Sequence, residues 1–211
     1  MKKYISIIGL VALLSWSCEQ EPEDIRLLDD LVVSTNYDPQ TLGDGAPDYL
    51  TYAIPTDTIG FVTNTDPNDT IRVYSTSFPY PRLVIDAVRQ NMESDGFEYQ
   101  RVDVDDDPDI GVNVYVVTNL NLFQQVVYPN YYSGYYGYGG YYYYPYVQTY
   151  AYNTATLIVE LIDLKNRSGN QVKVIWNAYM GDVINSVDYE QQSVDAIHQA
   201  FLQSPYLKRV P

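Results

Sequence analysis

The sequence predicts an α+β domain: a mostly antiparallel sheet that includes a long C-terminal hairpin, two helices packed on it, and a long Tyr/Gly-rich loop. Three observations lead there. Ala155 to Asp163 and Val172 to Met180 alternate with period two on either side of the turn-forming Asn166-Arg167-Ser168-Gly169-Asn170. Val84, Ile85, Val88 and Met92 fall at helical spacing, as do Val194, Ile197 and Phe201. Between residues 31 and 74 short β-favouring runs alternate with clusters of Gly, Pro, Asn and Asp.

The first elements lie outside that domain. Met1-Lys2-Lys3 precedes an apolar block from Tyr4 to Leu14, then Ser15-Trp16-Ser17 and Cys18. A charged start and a short apolar core are the pattern of a secretory signal peptide, here residues 1–17, and the run is too short to span a bilayer as a helix. A small residue directly before a cysteine, with Leu13 and Leu14 upstream, resembles the lipobox of bacterial lipoproteins. That resemblance implies lipid attachment at Cys18, which becomes the mature N-terminus. Residues 18–30 then read as a lipidated acidic tether, since Glu19-Gln20-Glu21-Pro22-Glu23-Asp24 shows no usable periodicity. The same acidic run resembles an export tag of the Bacteroides group, so a lipid-anchored position on the periplasmic or on the outward-facing side of the outer membrane stays open.

Residues 31–211 are expected to form a single domain, large enough to bury roughly 70% of the surface that its unfolded chain exposes. Leu31-Val32-Val33 and Tyr49 to Ile54 read as strands. Thr58 to Thr63 and Thr70 to Tyr74 flank the hairpin-type loop Asn64-Thr65-Asp66-Pro67-Asn68-Asp69. A helix follows, with Pro81 near its start and Gly96 just past its end. Phe97 to Val102 looks extended. Ile110 to Thr118 places Ile110, Val112, Val114 and Val116 on one face, as in a strand with one side on a core.

Before that strand, the run Asp103 to Asp109 carries several carboxylates, yet its spacing lacks the glycine and terminal glutamate of a calcium loop. It reads as a solvated turn, and no metal site is assigned. Tyr128 to Tyr152 holds 13 of the 24 tyrosines, interleaved with Gly134, Gly137, Gly139 and Gly140. Glycine removes stiffness while tyrosine supplies apolar faces with a polar tip, so a long adhesive loop is expected rather than an element. Its rings suit several uses: lying over the domain's own surface, stacking on a glycan, entering a membrane interface, or meeting another protein. Tyr135, Tyr136, Tyr138, Tyr141, Tyr142, Tyr143 and Tyr144 are the candidate ligand-binding residues. The hairpin from Ala155 to Met180 comes next, with Val172, Val174, Trp176, Ala178 and Met180 expected on one face. A helix from Val187 to Gln203 is expected to pack on that hairpin, ended by Ser204-Pro205.

Composition narrows the function. The formal net charge is −15 and becomes two units more negative once Lys2 and Lys3 leave with the leader, which disfavours a grip on nucleic-acid phosphates or on anionic lipid. Cys18 is the sole cysteine, so the chain has no internal disulfide and no set of thiolates for zinc. His198, the only histidine, sits beside core positions of the last helix and reads as a partly buried or surface side chain. The glycines alternate with tyrosines whose bulk obstructs a phosphate-binding loop. No catalytic residues and no cofactor are assigned.

Several stretches taken in order resemble the bacterial lipoprotein family known as domain of unknown function 4136. They are Thr51-Tyr52-Ala53, Ile85-Asp86-Ala87-Val88 with Gly96-Phe97, Asp107-Pro108-Asp109-Ile110, and Ala155 to Asp163 with Trp176; Ala196, Phe201 and Pro205 fit as well. The similarity spans about residues 31 to 205 and extends to the aromatic, glycine-rich insertion before the hairpin. It implies a secreted, lipid-anchored α+β domain and no particular reaction. The expectation is therefore a non-catalytic structural or binding module, anchored in the outer membrane through acyl chains on Cys18. An envelope protein or a glycan would meet it at the Tyr-rich loop; the alternative is a surface glycan-binding lipoprotein.

Overall fold

The computed structural model describes residues 33–42, 49–54, 58–62, 69–72, 79–117, 142–144, 156–168, 171–181, 183 and 187–209. Its strands are β1 (Val33–Tyr37), β2 (Thr51–Ala53), β3 (Thr58–Val62), β4 (Asp69–Arg72), β5 (Gln100–Arg101), β6 (Ile110–Val117), β7 (Tyr142–Tyr144), β8 (Thr156–Ser168) and β9 (Gln171–Met180). The helices are α1 (Pro39–Leu42), α2 (Tyr80–Met92) and α3 (Tyr189–Leu202). The strands make one mixed, mostly antiparallel sheet whose centre is β6, β8 and β9 in spatial order β6-β8-β9.

Both flanks of that centre are divided. Along the outer edge of β9, β1 runs antiparallel beside Trp176–Met180, and β7 runs parallel beside Gln171–Lys173. Along the outer edge of β6, β2 and β3 each run parallel, at Ile110–Gly111 and Tyr115–Val117. β5 then extends the sheet beyond β2, and β4 closes an antiparallel hairpin on β3. The expected hairpins are both present, and the parallel pairings on the flanks are an addition to the expected pattern.

Four local expectations change. The first strand is described at Val33–Tyr37, well past the expected Leu31-Val32-Val33, because its backbone completes the ladder of β9; Leu31 and Val32 lie outside the described residues. The extended run Phe97 to Val102 shortens to two paired residues, since Gly96 and Glu98 take positive φ values of 87° and 52° and turn the chain before it reaches β2. Tyr142–Tyr144 form β7, so the Tyr/Gly-rich stretch contributes an element after all; beyond Trp176 the edge of β9 is free of β1, and tyrosine is well suited to a strand that pairs there. Val172 to Met180 do not share one face: Leu161 pairs with Trp176 but Ile162 with Val174, leaving Ile175 as an extra residue that switches the alternation. Val172 therefore packs with Ala53, Ile162 and Leu164, whereas Ile175, Trp176, Ala178 and Met180 join the main core.

β6 departs from its expected one-sided burial. All eight of its residues are buried, so both of its faces are covered. On the helix side, Val112, Val114 and Val116 meet Leu157, Val159 and Leu161 and the apolar stripe of α2. α3 contributes Ala196, Ile197, Ala200 and Phe201. It packs against α2 as well as against β1 and β9. Phe201 reaches both Trp176 and Phe97, with ring centroids 5.3 and 5.5 Å away, and Tyr80 hydrogen-bonds Ser193 across the helix pair at 3.0 Å.

Two aspartates latch strand ends. Asp109, one residue before β6, accepts hydrogen bonds from the backbone N–H of Leu50 (2.6 Å) and Thr51 (3.1 Å) and faces Lys165 at 3.4 Å; its own carbonyl takes the N–H of Leu164 and Lys165. Asp38, just after β1, accepts from Lys173, from the Thr41 hydroxyl and from the Gln40 N–H, while its N–H donates to the Ile175 carbonyl at 2.9 Å. Burial works to raise both carboxyls, and the hydrogen bonds they accept outweigh it, aided by the nearby lysine charge. Both end below the ordinary carboxylate value.

A carboxylate whose folded-state value is depressed contributes stability that is present above its unfolded value, about 3.9, and is lost as pH falls through the folded value. The variant Asp38→Asn/Asp109→Asn should therefore be less stable than the native chain at pH 7, and its stability should fall less between neutral and strongly acid pH. Chemical denaturation at a series of pH values checks this; parallel pH profiles for the two proteins would remove the latch role.

Candidate functional site: a polar row across the sheet

The side of the sheet away from the helices carries residues 111, 113, 115 and 117 of β6 and 156, 158, 160 and 162 of β8. A line of polar side chains crosses it. Asn36 of β1 stands opposite Asn177 of β9, Asn177 opposite Glu160 of β8, and Glu160 opposite Asn113 of β6. Asn36 donates from Nδ2 to the Asn177 Oδ1 at 3.3 Å. Glu160 and Asn113 are fully buried, Asn177 is 2% exposed and Asn36 9%. Alongside them runs the row Ser34, Tyr179, Ile158 and Tyr115, in which both tyrosines are buried.

The strands put these groups together because each central strand has one polar residue in the middle of an apolar run: Asn113 in Ile110–Val117, Glu160 in Leu157–Ile162, and Asn177 in Val174–Met180. Antiparallel pairing in register then aligns the three. Chemically the row is a carboxylate between amides, and amides both donate and accept, so they suit a buried acid in either protonation state. Sequence reasoning did not single out these residues. The signal was there, as one charged or amide residue interrupting each of three strands that otherwise read as core.

A second cluster closes the end of the sheet near β2. Asp163 is buried and accepts from the Asn166 N–H at 2.9 Å and from its side-chain amide, which also reaches the Tyr49 hydroxyl at 3.4 Å. Burial, reinforced by the Asp163 carboxylate, pushes Tyr49 well above the usual phenol value. Tyr52 is raised in the same direction by burial and by Glu93, to which its hydroxyl donates at 2.8 Å. These phenols remain protonated hydrogen-bond donors instead of acting as bases.

Of the residues singled out from sequence, Cys18 and Tyr135, Tyr136, Tyr138 and Tyr141 lie outside the described residues. The backbone of Tyr142, Tyr143 and Tyr144 forms β7 beside Gln171, Val172 and Lys173. His198 is half-buried on α3, and its Nδ1 lies 2.9 Å from Asn91 Nδ2 on α2. The acidic turn contains a 3-10 segment, Val104–Asp106, with Asp103, Asp105, Asp106 and Asp107 exposed and Asp107 paired with Arg167 at 3.0 Å. Among the described residues no group of three His, Cys, Asp or Glu side chains is placed to hold a metal ion. Nor is any of their helices long and apolar enough to cross a membrane.

Comparison with known proteins places this architecture. A crystal structure of a DUF4136 family protein from Bacteroides thetaiotaomicron is 26% identical in sequence, with a TM-score of 0.62, covering 85% of this chain and 98% of that one. A PelC dodecamer from Paraburkholderia phytofirmans matches at 12% identity with a TM-score of 0.40, covering 85% of this chain and 99% of that one. No curated protein matches. The family model described as a domain of unknown function, DUF4136, matches residues 33–206, and the chain belongs to that family.

Proposed function

We propose that the protein is a lipid-anchored module of the bacterial cell envelope that binds or organises a partner and performs no chemistry of its own. The observation that carries this is the order of residues around Cys18: two lysines, an apolar block, a small residue before the sole cysteine, and an acidic run after it. Acylation would supply about 0.8 kcal/mol per buried methylene, and more than one chain gives stable attachment. The tether of residues 19–30 reaches at most about 40 Å, which keeps the domain close to the membrane face.

The non-catalytic part of the proposal is supported by the place of the polar groups. Glu160, the carboxylate at the centre of the sheet, has no exposed surface, and the raised tyrosines spend their hydroxyls on fixed partners. The partner contact is assigned to Tyr135, Tyr136, Tyr138, Tyr141, Tyr142, Tyr143 and Tyr144, because residues 118–155 carry no charged side chain and the tyrosines offer large faces with polar tips.

Metabolic labelling with palmitate should mark the native protein and not Cys18→Ala; equal labelling of the two would end the lipoprotein assignment. Cross-linking in the native membrane should capture a partner that is lost when residues 128–141 are deleted. Unchanged capture would move the contact elsewhere on the domain.

A further inference from the structure

β6 and β8 pair along eight residues, yet residues 118–155 lie between them in the chain. A two-residue turn fixes the register of a hairpin by its own geometry; a connection of this length does not. The β8–β9 hairpin differs, since it closes directly at Ser168 opposite Gln171.

The apolar face leaves the β6–β8 register open. A slip of one residue is excluded, because it would carry the whole core face of β6 to the other side. A slip of two is not. Ile110, Val112, Val114 and Val116 are all aliphatic and β-branched, so sliding β6 by two residues in one direction still sets Ile110, Val112 and Val114 against Leu161, Val159 and Leu157, and in the other Val114 and Val116 still face Leu161 and Val159 while Thr118 comes opposite Leu157. Backbone ladder bonds re-form after such a slip as well.

The opposite face is not degenerate. In the native register Gly111, Asn113, Tyr115 and Val117 face Ile162, Glu160, Ile158 and Thr156. A slip of two in one direction puts Tyr115 opposite Glu160 and Asn113 opposite Ile162. In the other direction Gly111 faces Glu160, and Asn113 faces Ile158. Either way the amide no longer stands opposite the carboxylate, and both positions are fully buried, where a polar group facing an apolar neighbour is costly.

We infer that the row Asn113–Glu160–Asn177 is the register key of the central sheet, selecting one of the several β6–β8 alignments that the hydrophobic pattern permits. Its β9 member is set by the hairpin, and Asn36 extends the same line to β1, whose far end Asp38 also fixes. The amide on β6 thus selects from within the strand, beside the Asp109 latch that ties the start of β6 to Leu164 and Lys165. Buried polar groups have this use where apolar surfaces are interchangeable, as with a polar residue that sets the register of a coiled coil.

The test moves the key. In the isotope-labelled full chain, Asn113→Tyr with Tyr115→Asn keeps composition but shifts the amide two residues along the same face. Cross-strand nuclear Overhauser contacts should then place position 115 opposite Glu160, alone or beside the native set. A single native set, with position 113 still opposite Glu160, would overturn the inference even if stability falls, because that is what a merely stabilising role predicts. If the exchange variant does not fold, Asn113→Leu/Glu160→Leu/Asn177→Leu decides: more than one β6–β8 alignment supports the key, and one native alignment rejects it. Glu160→Gln, which preserves an amide row, should keep the native contacts in either case.

Discussion

The rest of the molecule depends on β8 being buried on both faces between β6 and β9. One face of that centre takes the helices, and its apolar rows make a single cluster reaching from Tyr52 to Phe201. The scale of this burial sets what matters. Losing one large core ring such as Phe201 costs on the order of 3–5 kcal/mol, whereas exposed helix pairs such as Arg82–Asp86 contribute a few tenths. Packing decides that the domain folds, and the surface charges add little.

Polar groups decide which version of the packed sheet forms. Trp176 donates to Ser204 at 2.8 Å, and Tyr99 donates to the Leu207 carbonyl at 2.7 Å, so the segment after α3 is tied to the core by two buried aromatic residues. Tyr206 stacks on Tyr37 with centroids 3.8 Å apart, and the Arg209 N–H donates to the Gly96 carbonyl at 2.9 Å. Burial raises Tyr80 and Tyr99 as it does Tyr49 and Tyr52. These four rings serve as core side chains with a directional handle each.

Much of the architecture was legible in sequence because its strongest signals are local. Period two in Leu157–Ile162 and helical spacing in Val84, Val88 and Met92 located the hairpin and α2, and Pro81 and Gly96 marked where that helix begins and ends. What escaped was non-local. The bulge at Ile175 has no signature in the alternation of its own strand; it exists only relative to Leu161 and Ile162. The two-sided burial of β6 was equally hidden, since alternating Val with Asn and Tyr reads as a half-exposed strand until the second face is known to be covered. For the same reason Asn113, Glu160 and Asn177 looked like three unrelated interruptions, and only register turns them into one feature. The expectation at Cys18 is of another kind, since a targeting signal is read in extended sequence and needs no fold, and that residue lies outside the described ones.

Amide hydrogen exchange of the native protein tests the central role of the doubly buried strands most directly. The amides of β6, β8 and β9 within the ladder should exchange last and together, in the opening of the whole domain, while β5 and the acidic turn at Val104–Asp106 exchange early. Exchange in β8 as fast as in β5 would contradict the account, because the strand on which both faces depend would then open without the rest.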